Sequence, residues 1–401
     1  MGTIAEKLTY LEGTKSAIKD AIIAKGVEVT DTDTFRSYAE KIESIEAGGS
    51  CESQSKEINI TDNGTIVVTP DEGYLLDQVT VNTNITTGKP VLPNGISFDG
   101  STWTTFDTDP YDWSQIYSGT EMFASCTKLQ TLTGTGIENV YFLDLFETFL
   151  NCNSLTEIPK LYGRPTTISG LFDSCRNLDE VDLSGLDWSD LADISYAFRS
   201  CKEWVQNIDF RNSPIRMAES AYRGSSITQL PLINYALLEN VDYMFMSTYL
   251  TSANLDFQRV ISASQLFYKC YALEEVHFNG MKFNESLNGM FYSCENLTTI
   301  TGLQCENVKS SLTTNTFFNC SKLKNIDGLF NLGESFTGSA TINLYHSPLT
   351  RESCLNIFNT IYDFIGNGSK YRATLDLHQD VLAQLSEEDI AIATAKGWTI
   401  K

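Results

Sequence analysis

MFYSCENL, residues 290–297, is the stretch on which the fold turns. An aromatic, a cysteine three residues on and a leucine three after that return as MFASCTKL (122–129), TFLNCNSL (148–155), LFDSCRNL (171–178), AFRSCKEW (197–204), LFYKCYAL (266–273) and TFFNCSKL (316–323). Two weaker copies, AYRGSSIT (221–228) and MFMSTYLT (244–251), fill the gap in the middle. Taking the aromatic as the mark gives Phe123, Phe149, Phe172, Phe198, Tyr222, Phe245, Phe267, Phe291 and Phe317, at intervals of 22 to 26 residues. Nine copies at that period predict a solenoid.

Each copy reads as a short turn or helical segment carrying the aromatic and the cysteine, followed by an extended stretch. There the apolar residues recur at close spacing: Leu178, Val181 and Leu183; Leu273, Val276 and Phe278; Leu297 and Ile300. Such a unit cannot cover its own apolar face and must stack on its neighbours. Equivalent strands then lie about 4.8 Å apart, so nine copies rise on the order of 40 Å. The interior should hold one column of rings, one of leucines and one of sulfurs. This phrasing resembles the BspA-like leucine-rich repeat family, whose units carry M-F-x-x-C-x-x-L, over about residues 105–345. The resemblance implies a curved solenoid with a parallel sheet and does not fix a ligand.

Seven of the ten cysteines, Cys126, Cys152, Cys175, Cys201, Cys270, Cys294 and Cys320, occupy the same point of the repeat. Stacked equivalent side chains point the same way, which disfavours disulfides between them. Metal binding needs converging ligands, and there is no CxxC, while His277, His346 and His378 are far apart in sequence. Cysteine as a small, weakly polar core residue at a bend is the reading that remains. Ser225 and Thr248 at the same point of the weaker copies agree with it. Cys51, Cys305 and Cys354 show no pairing pattern.

The flanks predict an α+β multidomain chain. Residues 1–46 should form a helical hairpin with Ile4, Leu8, Leu11, Ile18 and Ile22 on one face and Phe35, Ala39, Ile42 and Ile45 on the other helix. So small a pair needs another copy or a partner to cover its apolar face, so we expect a homo-oligomer, a trimer being favoured. AGGSCESQSKE (47–57) reads as a flexible linker. Residues 58–88 read as a small β module with a hairpin at Asp62-Asn63-Gly64. The solenoid, with an N-terminal cap over residues 91–119, spans 89–345, and residues 346–401 close its far end. In that closing segment 349–366 is expected as a helix stopped by Gly366, YRATLDLH as a strand, and SEEDIAIATAKGWTIK as a capped helix and a last strand.

A second resemblance concerns KLTYLEGTKSAIKDAIIAKGVEVTDTDTFRSYAEKI, ITDNGTIVVTPDEGYLLDQVTVNTNI and LSEEDIAIATAKGWTI. These look like modules of phage virion proteins, particularly fibre and tail proteins. What they imply is a fibre or spike component of tail or head, docked on other virion proteins through the N-terminal helices.

Charge and motifs narrow the function. With 51 acidic against 28 basic residues the chain carries a net charge of −23, which argues against nucleic acid and anionic membrane as partners. No Walker loop, HExxH, GxSxG or GxGxxG after a strand occurs, so no enzyme and no cofactor is expected. Asp99, Asp107, Asp109 and Asp112 suit turn caps better than a calcium site. Tyr162, Trp188, Tyr235 and Tyr249 are candidates to stack on sugars or to pack at repeat junctions. Sequons such as that at Asn59 matter only on a secreted chain. The opening lacks the basic-then-apolar order of a secretory signal, so synthesis in a host cytoplasm and residence in a virion are expected. The expected role is a non-enzymatic virion protein displaying its repeats to host glycan or protein. A bacterial surface adhesin and a purely architectural decoration protein are the alternatives.

Overall fold

The computed structural model describes residues 4–30, 32–33, 37–43, 52–59, 74–82, 89–204, 206–260, 262–279, 282–283, 287–306, 315–331 and 339–401. The chain divides into two units, residues 1–91 and 92–401.

In the first unit, α1 (Ile4–Ile23) is followed by a turn with Gly26 at φ 87° and then by α2 (Ser37–Glu43). Ile22, Val29 and Tyr38 are buried together, with Ile18 packed against them. Lys41 ties the connection down, 3.0 Å from Asp33 and donating to the Glu28 carbonyl at 2.6 Å. Of the expected apolar faces, Ile18 and Ile22 pack inward, whereas Ile42 is 38% exposed. Phe35 and Ile45, and the side chains of Ile4, Leu8, Leu11 and Ala39, lie outside what the structure describes. The expected linker needs correction: β1 runs Glu52–Asn59 and takes in most of its second half. Its partner β2 (Tyr74–Asn82) lies parallel, Glu52 opposite Tyr74 and Asn59 opposite Asn82. The expected hairpin turn at 62–64 lies outside the described residues.

The second unit is a stack of coils. Its aromatic column is continuous and one ring longer than expected: Phe98, in the segment taken as a cap, stacks on Phe123 at 5.3 Å. Eight further steps carry it through Phe149, Phe172, Phe198, Tyr222, Phe245, Phe267 and Phe291 to Phe317, with centroids 5.2 to 6.3 Å apart. Backbone bonds keep pace, each aromatic N–H donating to the carbonyl just before the next aromatic, as from Phe98 to Met122 (2.7 Å) and Phe291 to Thr316 (3.0 Å).

Two devices wind each coil. Residues two before and two after the aromatic adopt positive φ, for example Glu121 (51°) and Ser125 (57°), Tyr196 (59°) and Ser200 (59°). Ser, Asn and Gly dominate the second of these sites, just before the cysteine, because a short polar side chain or none tolerates the left-handed region best. Five residues before the aromatic, a side-chain oxygen accepts the N–H two residues on, as in Asp144 to Phe146 (2.7 Å) and Asp193 to Ser195 (2.8 Å). These turns carry the parallel bridges Ser118–Asp144, Thr167–Asp193, Asp193–Met217, Met217–Asn240 and Asn240–Ser262.

Further parallel ladders join the other sides of the coils. β3 (Thr105–Asp107) pairs with β4 (Thr131–Thr133), β5 (Tyr141–Phe142) with β6 (Tyr162–Gly163), and β7 (Asp209–Phe210) with β8 (Leu232–Ile233). Beyond them β9 (Ser252–Leu255), β10 (Glu275–Phe278), β11 (Lys282–Phe283), β12 (Thr299–Glu306) and β13 (Asn325–Asn331) form one five-stranded sheet.

The far end closes on β14 (Ser339–Leu344) and α3 (Arg351–Thr360), then β15 (Arg372–Leu377), α4 (Gln379–Leu382), α5 (Glu387–Thr394) and β16 (Trp398–Ile400). α3 is shorter than expected, since the chain turns extended at Ile361, ahead of Gly366. Its N-terminus is seated on the last coil: Ser353 Oγ accepts the Ile326 N–H at 2.6 Å and donates to the Ile326 carbonyl at 3.0 Å. Arg351 grips Asp389 through two bonds of 2.8 and 2.6 Å, joining α3 to the capping box of α5.

Candidate functional site

The repeat thiols are the side chains that would be the strongest nucleophiles if ionised. All seven are fully buried, and none of the described cysteines is in a disulfide. Each Sγ donates to the carbonyl of the aromatic one coil back: Cys126 to Phe98 (3.3 Å), Cys152 to Phe123 (3.0 Å), Cys175 to Phe149 (3.1 Å) and Cys201 to Phe172 (2.9 Å). Cys270, Cys294 and Cys320 do the same to Phe245, Phe267 and Phe291, all at 3.0 Å. Where the repeat has Ser225 or Thr248, the shorter hydroxyl turns back to its own coil, onto the carbonyls of Tyr222 (2.7 Å) and Phe245 (2.8 Å). Cysteine is therefore more than a small filler. Its longer reach lets it bond the coil below. Burial pushes the Cys270 thiol up to about 11 and those of Cys305, Cys320 and Cys354 up to about 12, and raises Cys175, Cys201 and Cys294 as well. Thiols held protonated this way are poor nucleophiles.

The remaining titratable groups do not build a centre. Asp107 Oδ1 accepts the Asp109 N–H (3.0 Å), Asp109 Oδ1 the Thr135 N–H (2.7 Å) and Asp112 Oδ1 the Ser114 N–H (2.9 Å), so these aspartates serve turns. His277 bonds Thr301 through Nδ1 at 2.6 Å. His346 and His378, distant in sequence, both lie beside Tyr345, at 5.3 and 6.1 Å between centroids. Among the described residues no three metal-ligating side chains converge, and no helix is long and apolar enough to cross a membrane.

What distinguishes one part of the surface is a break in the ladder. At residues 179–183, 206–208 and 225–231, where other coils have a strand, none forms. Side-chain amides substitute: Gln206 Oε1 accepts the Val181 N–H (3.2 Å) and its Nε2 donates to the Val181 carbonyl (3.1 Å), while Asn207 Oδ1 accepts the Leu232 N–H (3.1 Å). Trp204 replaces the repeat leucine here, its indole 4.5 Å from Phe198 and 5.8 Å from Phe172, and its Nε1 donates to the Gln206 carbonyl. The break opens a cleft of about 660 Å³ with Ile158, Val181, Leu183 and Trp188 along it and Glu157, Glu180, Asp182 and Asp209 at its edges. These edge aspartates stay ionised: Asp182 is held below the usual carboxylate range chiefly by Ser184, and Asp209, bound by Arg211, falls to about 2.

Beside the cleft stands a face of outward aromatics. Tyr141 and Tyr162 are register partners in β5 and β6, 56% and 39% exposed. Leu143 points the same way two residues past Tyr141, and its N–H donates to the carbonyl of Tyr117, itself 55% exposed. The Tyr162 ring lies against Gly185 so closely that a β-carbon there would stand 2.8 Å from Cδ1. Lys160 and Arg164, two residues before and after, are each tied to the next coil. Lys160 Nζ is 3.3 Å from Asp182, and Arg164 Nε is 2.8 Å from Asp190 and 3.7 Å from Asp187.

Of the four aromatics singled out in sequence, only Tyr162 and Tyr249 are open to solvent. Trp188 packs edge-on against Phe210, and Tyr235 packs on Phe257 with its hydroxyl on the Pro231 carbonyl. Tyr117 and Tyr141 were missed. A brief alternation, Tyr141-Phe142-Leu143 with phenylalanine inward, is the faint signal for Tyr141 alone.

Stacked parallel coils with filled interiors and a patterned exterior define a solenoid. A family model described as the BspA type leucine rich repeat region, six copies long, matches residues 119–241, 166–288 and 241–343. Together these matches cover more than half of the chain, and the chain belongs to this family. Among solved structures it is similar to a leucine-rich repeat protein from Bacteroides ovatus, at 15% identity over 74% of this chain and 92% of that one, with a TM-score of 0.35. No curated protein matches the chain.

Proposed function

We propose that this chain is a non-catalytic surface-display protein whose repeats bind a macromolecule on a cell surface. One observation carries the reading: the chemistry of the repeat is turned inward, every repeat thiol bonded to a neighbouring carbonyl, while large aromatics face out on one side. The interior is spent on rigidity. Only the exterior is left for recognition, and solenoids offer such surfaces without moving parts.

In the finer form of the proposal, residues 1–46 anchor and oligomerise the chain, as a trimer, on a phage particle, and the repeats form a fibre or spike reaching the host surface. Support comes from the order of modules in the sequence and from an N-terminal pair of helices in which, among the described residues, Ile22, Val29 and Tyr38 form the buried cluster. Deleting residues 1–48 should abolish incorporation into particles while leaving the repeats folded; incorporation of the truncated chain would refute the anchor. An adhesin-type role on a bacterial surface is the second reading, favoured by the family itself. Fractionation of producing cells separates the two, with envelope enrichment supporting the adhesin and recovery only in particles supporting the virion.

A further inference from the structure

We propose that the face formed by Tyr117, Tyr141, Leu143 and Tyr162, with the cleft beside it, binds an uncharged polysaccharide, Tyr162 being the platform on which a sugar ring sits. This deepens the display reading and rests on it.

Three observations point to this ligand. The Tyr162 ring is braced by Gly185, where no side chain fits, and the Lys160 ammonium stands 5.7 Å from its centroid, so its position is fixed while the residue stays 39% exposed. A ring with no freedom to lose on binding suits the weakly polarised C–H face of a pyranose, much as flat rings serve nucleobases.

The polar groups around the ring come as matched pairs. Lys160 with Asp182 stands on one side, and Arg164 with Asp187 and Asp190 on the other. Each pair sets N–H donors beside carboxylate acceptors at the surface, the complement of vicinal hydroxyls, which both donate and accept. A polyanion would meet these carboxylates and a chain of net charge −23. A cationic ligand would have to displace Lys160 and Arg164 from pairs already made. An uncharged ligand needs neither concession. Finally, Asp182, the partner of Lys160, also lines the cleft together with Ser184 and Trp188, giving a linear chain a second place to lie.

The test is affinity electrophoresis of the full-length protein through gels containing galactomannan, xyloglucan, mixed-linkage glucan or arabinoxylan, with alginate as a polyanionic probe. At least one neutral polysaccharide should retard the protein and alginate should not. Tyr162→Ala should weaken retardation by about tenfold or more, Tyr162→Phe should keep it, and Tyr249→Ala, an exposed tyrosine elsewhere, should leave it unchanged. Retardation by none of the four neutral polymers, retardation by alginate alone, or equal retardation of Tyr162→Ala would each overturn the proposal. Circular dichroism of each variant excludes misfolding as the cause. Whole-cell binding of the same proteins keeps the two readings apart. Cells bound equally by Tyr162→Ala refute this face and leave display standing, whereas no cell binding by the unaltered protein refutes display itself.

Discussion

The coils around Phe172 and Phe198 and those around Phe267 and Phe291 carry the same phrase and differ in what it supports. In the later coils β9, β10, β12 and β13 pair in one continuous parallel sheet. In the earlier ones residues 179–183 and 206–208 form no strand, the short β7 starting only at Asp209, and Gln206 and Asn207 bridge the gap with side-chain amides. Yet the ring column runs through both, at 6.3 Å from Phe172 to Phe198 and 5.8 Å from Phe267 to Phe291. The thiol bonds are equally indifferent, 2.9 Å at Cys201 and 3.0 Å at Cys294. The coil is therefore set by the aromatic and cysteine side alone. The opposite side is free to depart from regular pairing, and it is there that the cleft opens.

That comparison breaks most violently at the rings. Phe172→Ala and Phe291→Ala should each cost about 3–5 kcal/mol, because both leave a cavity in a close-packed column. Thermal unfolding should rank them as equals; a much smaller loss at Phe172 would show that the irregular half does not depend on its column. Next comes alkali. Folding raises the thiols of Cys270, Cys305, Cys320 and Cys354, so their burial stabilises fully below the ordinary thiol range near pH 9 and the contribution is lost as pH climbs toward 11, where Cys270 titrates. The melting temperature should fall steeply across that window. A Cys270→Ser variant should show a shallower fall, and an unchanged profile would contradict the shifted titration.

Much of this was legible in the sequence, for a physical reason. A repeat prints the same demand many times over, so the period, the inward aromatic and cysteine, and the parallel stacking stood out. Phe98 escaped because its coil carries Ser101 in place of cysteine and Thr104 in place of leucine, although backbone bonding makes it a full member. The role of sulfur escaped because reach across a coil is a distance, which composition does not state. Tyr141 escaped because a strand of two residues gives almost no alternation to read. The parallel pairing of β1 with β2 escaped because an Asn-Gly turn speaks for the strands beside it and says nothing of a strand further on.

Smaller effects sharpen the contrast. Cys201→Ser and Cys294→Ser should each cost about 1 kcal/mol, the hydroxyl abandoning the coil below for its own, as Ser225 does. Urea denaturation checks the cost. A crystal structure in which the new hydroxyl still reaches Phe172 or Phe267 would show that sulfur's length is not the reason for cysteine.

The mildest change is the most local. Gln206→Ala removes both bonds to Val181, worth about 1 kcal/mol together or a little more, and leaves the rings and thiols untouched. Hydrogen exchange should then show the Val181 amide losing protection while Val276, whose register partners are the backbones of β9 and β12, exchanges as before. If protection at Val181 survives, the gap is already held by the columns behind it, and the amide bridge is ornament. If Val276 loosens too, the two halves are coupled through the stack, and the freedom ascribed to the cleft side would have to be withdrawn.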